Sequence, residues 1–138
     1  MTAPAMPSQV RAAFVSIASP AREQLLEIRR MIFEVAQAAG VGPLTETLKW
    51  GEPAYLTEAS KAGSTVRLGQ VKGDARAAVL LNCNTTLVAG FREMFGDAFV
   101  YHGNRAILID PHRPLPETPL AMCLACALTY HRNKKLPA

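Results

Sequence analysis

The chain has 138 residues, 49% of them hydrophobic and 19% charged, with 10 Pro, 9 Gly and 3 Cys; fifteen Lys+Arg against eleven Asp+Glu give a formal +4. That length predicts one domain, able to hide roughly 70% of its unfolded surface without a disulfide or metal staple. The apolar fraction excludes intrinsic disorder, and the moderate charge excludes a polyelectrolyte tail protein.

From about Pro7 to Ala18, Val10, Ala13, Phe14 and Ile17 share one helical face. Ser19-Pro20 then reads as an N-cap with proline at the first helical position. The helix it opens places Leu25, Ile28, Ile32, Val35 and Ala39 at spacings of three or four, with Arg22, Glu23, Arg29 and Arg30 largely opposite, and ends at Gly40 and Gly42. Val66 to Val71 alternates and Ala77 to Leu81 is continuously apolar, so the intervening Lys72-Gly73-Asp74 turn predicts an antiparallel pair. Asn82-Cys83-Asn84-Thr85 supplies cap residues for a helix whose Leu87, Val88, Phe91, Met94 and Phe95 share a face and which stops at Gly96.

A second hairpin is predicted from Phe99 to His102 and from Arg105 to Ile109. A two-residue Gly103-Asn104 turn between them would pair His102 with Arg105 and Val100 with Ile107. Asp110 to Pro119 is a proline-rich connector, and Thr118-Pro119 repeats the cap-plus-proline start. The last helix is apolar on every side, which predicts burial between other elements. This order gives an α+β fold: helices packed on an antiparallel sheet, in one compact domain over residues 7–131, with flexible termini at 1–6 and 132–138.

The most unusual segment is Thr45-Glu46-Thr47-Leu48-Lys49-Trp50-Gly51-Glu52-Pro53-Ala54-Tyr55. Pro53 pushes Glu52 into an extended conformation, and Gly51 permits a bend that a β-carbon resists. The expected result is a sharply turning strand that holds an indole and a phenol near each other, a floor for a ligand pocket. The plainer alternative makes Trp50 and Tyr55 large core residues closing one end of the sheet.

The segment TLKWGEPAY resembles the signature of the YdhG-like family, in which an acidic or polar strand runs into Lys-Trp-Gly, then Pro, then Tyr. REQLLEIRRMIFEVAQ is similar to the helix expected before it. NCNTTLVAGFREMFGDAFVYHGNRAILID resembles one branch of that family, so the likeness spans most of residues 20–130. It implies a compact α+β domain and little about activity, since the family is largely uncharacterised. Some of its members are regarded as frataxin-like iron chaperones, which makes intracellular iron handling the alternative function.

The residues themselves argue against a hard-ligand iron surface. Glu23, Glu27 and Glu34 lie near one helical face, but Arg30 sits beside them and is placed to pair with them. Cys123 and Cys126 have CxxC spacing, yet they fall inside an apolar helix rather than at a helix N-terminus, so they read as packing residues. Cys83, just before a helix start, is the better thiolate position, although no general base accompanies it in sequence. A small enzyme using Cys83 or His102 is therefore a third reading. No nucleophile elbow, P-loop or dinucleotide fingerprint appears.

Nucleic-acid binding is disfavoured: Arg67, Lys72 and Arg76 lie near one hairpin with no aromatic residue among them. Most of the positive charge is terminal, since residues 1–130 carry twelve basic against eleven acidic groups. The tail His131-Arg132-Asn133-Lys134-Lys135 suits solubility or the C-terminal dipole of the last helix. The N-terminal stretch lacks a secretory pattern, and the longest apolar run, Leu120 to Leu128, is far shorter than the roughly 20 residues a membrane span needs. An odd cysteine count implies no disulfide framework.

The expectation is thus a cytoplasmic, non-enzymatic module, monomer or homodimer, that binds a small ligand or a protein and neither a membrane nor nucleic acid. Its binding residues are expected to be Trp50, Glu52, Pro53, Tyr55, His102 and Arg105. No cofactor or metal and no catalytic residue is expected.

Overall fold

A computed structural model describes residues 3–134. Helix α1 (Ser8–Val15) and helix α2 (Ala21–Ala39) precede strands β1 (Thr45–Lys49), β2 (Glu52–Leu56), β3 (Val66–Gly69) and β4 (Ala77–Leu80). Helix α3 (Leu87–Phe95) and a 3₁₀ turn (Gly96–Ala98) lead into β5 (Val100–His102), β6 (Ala106–Ile109), α4 (Glu117–Leu128) and the short α5 (Tyr130–Lys134). The six strands form one sheet in the order β1-β2-β3-β4-β6-β5, and every neighbouring pair is antiparallel. The expected α+β class is what the chain adopts.

Strand periodicity divides the sheet into two different faces. Tyr55, Val66, Leu68, Ala77, Val79, Leu81, Ile107 and Ile109 join Val10, Phe14, Leu25, Ile28, Ile32, Leu120 and Leu124 in the main core. All the helices therefore lie on that face, with α2 and α4 crossing the central strands and α1 over β1 and β2. Leu25, Ile28 and Ile32 are fully buried, each stabilising the fold by about 1.5–3 kcal/mol relative to exposure. On the other face, Ala78, Leu80, Ala106 and Leu108 form a small second cluster packed by Val71 of the β3–β4 connection. Val71 of that connection covers β4 and β6, while the same face of β2 and β3 carries the paired Glu52 and Arg67.

The helix ends show where local rules yielded to context. Gly40 ends α2 in the left-handed region (φ 66°), and the Val41 N–H reaches back to the Ala36 carbonyl, as a glycine C-cap predicts. The Ser19-Pro20 peptide is cis, Pro20 precedes the first helical residue, and the Ser19 hydroxyl accepts from Arg22 instead of capping the helix. The last long helix starts at Glu117, two residues before Pro119. Its burial is one-sided: Leu120, Cys123, Leu124, Ala127 and Leu128 are inside, while Met122 is 48% exposed beside α2.

The predicted turn of the second hairpin is corrected. Gly103, Asn104 and Arg105 form a three-residue loop, so His102 faces Ala106 and Val100 faces Leu108. A one-residue change of register moves every side chain to the other face. The larger loop follows from β4, since the Leu81 N–H bonds to the Arg105 carbonyl at 2.6 Å and holds Arg105 out of the β5 ladder.

The packed body also reaches beyond residues 7–131. The Pro4 carbonyl accepts from Arg29, Met6 packs on the core, and Arg132 donates to the Ala39 carbonyl at 2.9 Å. Arg132 thus complements the C-terminal end of α2 rather than that of the last helix. Residues 1–2 and 135–138 of the expected termini lie outside the described residues. Gly63 is required by proximity: a β-carbon there would meet the Leu128 backbone carbonyl oxygen at 2.2 Å.

Candidate functional site: a cationic cleft beside an exposed tryptophan

The Lys-Trp-Gly segment is a two-residue β-hairpin turn. Lys49 pairs with Glu52 across it, and Trp50 (φ 56°) and Gly51 (φ 76°) both have positive φ, the pattern of a type I′ turn. Glycine suits its position. Tryptophan does not, because a bulky side chain in the left-handed region costs about 1–2 kcal/mol. Trp50 is also 89% exposed, so neither proposed form of burial applies to it.

The expected indole–phenol pocket therefore does not form. Tyr55, three residues from Glu52 and so on the other side of the sheet pleat, is fully buried on the helix face. Its hydroxyl donates to Glu46 Oε2 at 2.8 Å, and Glu46 accepts two bonds from Arg29 at 2.6 and 2.9 Å. Phe33 meets Tyr55 edge-on (5.7 Å) and lies under the Arg29 guanidinium (5.0 Å). Burial, reinforced by the Glu46 carboxylate, pushes the phenol pKa up, so Tyr55 is a neutral structural donor. Pro53 is also buried, opposite Leu48; having no N–H for β3, it coincides with the end of the β2–β3 ladder at Ala54–Arg67.

Glu52 belongs to the opposite face. Its Oε1 accepts from Arg67 at 2.7 Å, and its carboxyl lies over Gly69, where a β-carbon would meet Oε2 at 2.5 Å. Burial raises the Glu52 pKa, opposed by the charges of Arg67 and Arg105. Beside this pair a cleft of about 340 Å³ is lined by Lys49, Trp50, Thr65, Arg67, Leu81, Asn82, Cys83 and Arg105. Of the expected binding residues, Trp50 and Arg105 line it and Glu52 joins through Arg67. Pro53 and Tyr55 are under the sheet, and His102 stands opposite Ala106 without lining the cleft.

Lys49, Thr65, Arg67 and Asn82 line the cleft and stand outside the expected binding set. Arg67 was legible as a strand cation on the face opposite Val66 and Leu68, but the aromatic partner it lacked locally comes from a different hairpin. Cys83 is exposed at the cleft wall, whereas Cys123 is buried and its thiol is pushed up to about 12 by burial. Burial likewise raises the Cys126 thiol. The CxxC pair is packing, as expected.

Arg30 does pair with Glu27 and Glu34, while Glu23 pairs with Arg22 at 3.0 Å. Among the described residues, no three His, Cys, Asp or Glu side chains gather where they could hold a metal ion. No described helix is long and apolar enough to cross a membrane. Among the described residues three larger grooves, one of about 670 Å³ between α2 and α4, do not combine cations with an exposed aromatic ring. No family model, curated protein or solved structure matches the chain.

Proposed function

We propose that the protein is a YdhG-like, non-enzymatic module that binds a small ligand on the helix-free face of its sheet, at the Trp50 hairpin. One observation carries this reading: Trp50 is 89% exposed in a turn conformation that tryptophan disfavours. Core packing gains little from an indole in that place, and backbone preference opposes it. An outward aromatic next to a concave, polar-walled cleft is the composition of a binding site.

Thermal-shift screening of single-ring compounds on the full chain and on Trp50→Asn tests the reading. Compounds that raise the melting temperature of the wild type and leave Trp50→Asn unmoved are the expected result. Loss of stability in Trp50→Asn, with the same compounds stabilising both proteins, would return Trp50 to a packing role.

A further inference from the structure

We infer that the cleft selects a planar ring carrying a dianionic group, with the ring against Trp50 and the dianion between Lys49 and Arg105. This rests on the reading of the cleft as a ligand site and adds the ligand's chemical class.

Charge is the first reason. Three cationic side chains line the cleft and no acidic side chain does. Glu52, just outside, is bound to Arg67 alone. Among the described residues Lys49 and Arg105 have no ion-pair partner. One carboxylate against three cations leaves two positive charges uncompensated, matching a phosphate monoester or a dicarboxylate. Thr65 and Asn82 add polar groups able to bond the remaining oxygens.

Shape is the second reason. About 340 Å³ lies at the small end of ligand pockets, enough for one ring and its substituent. The indole, 89% exposed, supplies a surface on which a planar ring stacks. The cleft thus offers cations to one half of such a ligand and an exposed ring to the other.

The chain provides two internal reporters. Trp50 is its single tryptophan, so indole fluorescence reads the cleft. Cys83 is its exposed cysteine, so protection from iodoacetamide reads the same wall. Phenyl phosphate is expected to shift the fluorescence, slow Cys83 alkylation, and bind about tenfold more tightly than phenol or inorganic phosphate. Lys49→Gln and Arg105→Gln should each weaken it about fivefold with unchanged circular dichroism. Phthalate distinguishes a dicarboxylate from a phosphate monoester, and binding of either with that selectivity supports the dianion class.

Phenol binding as tightly as phenyl phosphate would overturn the dianion and leave the ligand site standing. Inorganic phosphate binding equally well would remove the ring. A tighter oligothymidylate would reassign the cleft to a nucleic-acid strand. Silence of both reporters with every probe would remove the ligand site itself.

Discussion

One hairpin supplies a carboxylate to each face of the sheet, and the two carboxylates have different fates. Glu46 on β1 meets Arg29 of α2 under the helices, with side chains 6% and 8% exposed. Glu52 on β2 meets Arg67 of β3 on the open face, with side chains 24% and 21% exposed. The buried pair is fully engaged: Arg29 also bonds the Pro4 carbonyl, and Glu46 also accepts from Tyr55. The open pair leaves neighbouring cations unmatched. The same two residue types thus fasten the fold on one face and tune a surface charge on the other, because burial decides how costly an unmatched group is.

The largest effect expected is from Glu46→Ala. It strands the Arg29 guanidinium and the Tyr55 hydroxyl under the helices and should destabilise by about 3–5 kcal/mol in urea unfolding. A loss below about 1 kcal/mol would mean that water reaches the pair and that the two faces are alike. Tyr55→Phe comes next, removing one bond to a charged acceptor, with an expected cost of about 1.5–3 kcal/mol. A double-mutant cycle with Glu46→Ala should show strong coupling, since both act on one carboxylate.

Trp50→Asn reverses the sign. Asparagine tolerates positive φ, so the hairpin should gain about 1 kcal/mol while ligand binding is lost. Equal stability and binding in the two proteins would contradict the assignment of Trp50 to ligand recognition.

Glu52→Gln has the smallest expected effect on stability, within about 1 kcal/mol. Burial holds the folded Glu52 pKa above its unfolded value. The stabilisation linked to this group is therefore full below the unfolded pKa and is lost as pH rises through the folded one. The variant mimics the protonated form, so wild type and variant should match in acid. Wild type should fall slightly behind above the carboxylate range. The opposite order, measured by urea unfolding against pH, would show that the Arg67 attraction outweighs burial. Phenyl phosphate should bind Glu52→Gln more tightly, because a competing negative charge is removed.

Much of the scaffold was legible because period is a local property. Leu25, Ile28 and Ile32 announce the α2 face, the alternation from Val66 announces β3, and Gly40 announces a helix end. The Gly103 hairpin was legible as an element and not as a register, since the β4 bond to Arg105 is non-local. The Trp50 segment was legible as a sharp turn. Its indole and phenol separate because Trp50 occupies the turn itself, while Tyr55 follows the pleat onto the helix face.

Sequence by itself determined the α+β class, the sharp Trp-Gly turn, the Arg30 ladder and the packing role of Cys123. The class follows from the order of helical and alternating segments, and the others from spacing within one element, where backbone geometry leaves few choices. Tertiary structure decided which residues meet at the cleft, because Lys49, Arg67, Cys83 and Arg105 come from separate segments joined by strand pairing. It also decided which face the helices cover. That choice sends Glu46 and Tyr55 inside and leaves Glu52 at the surface.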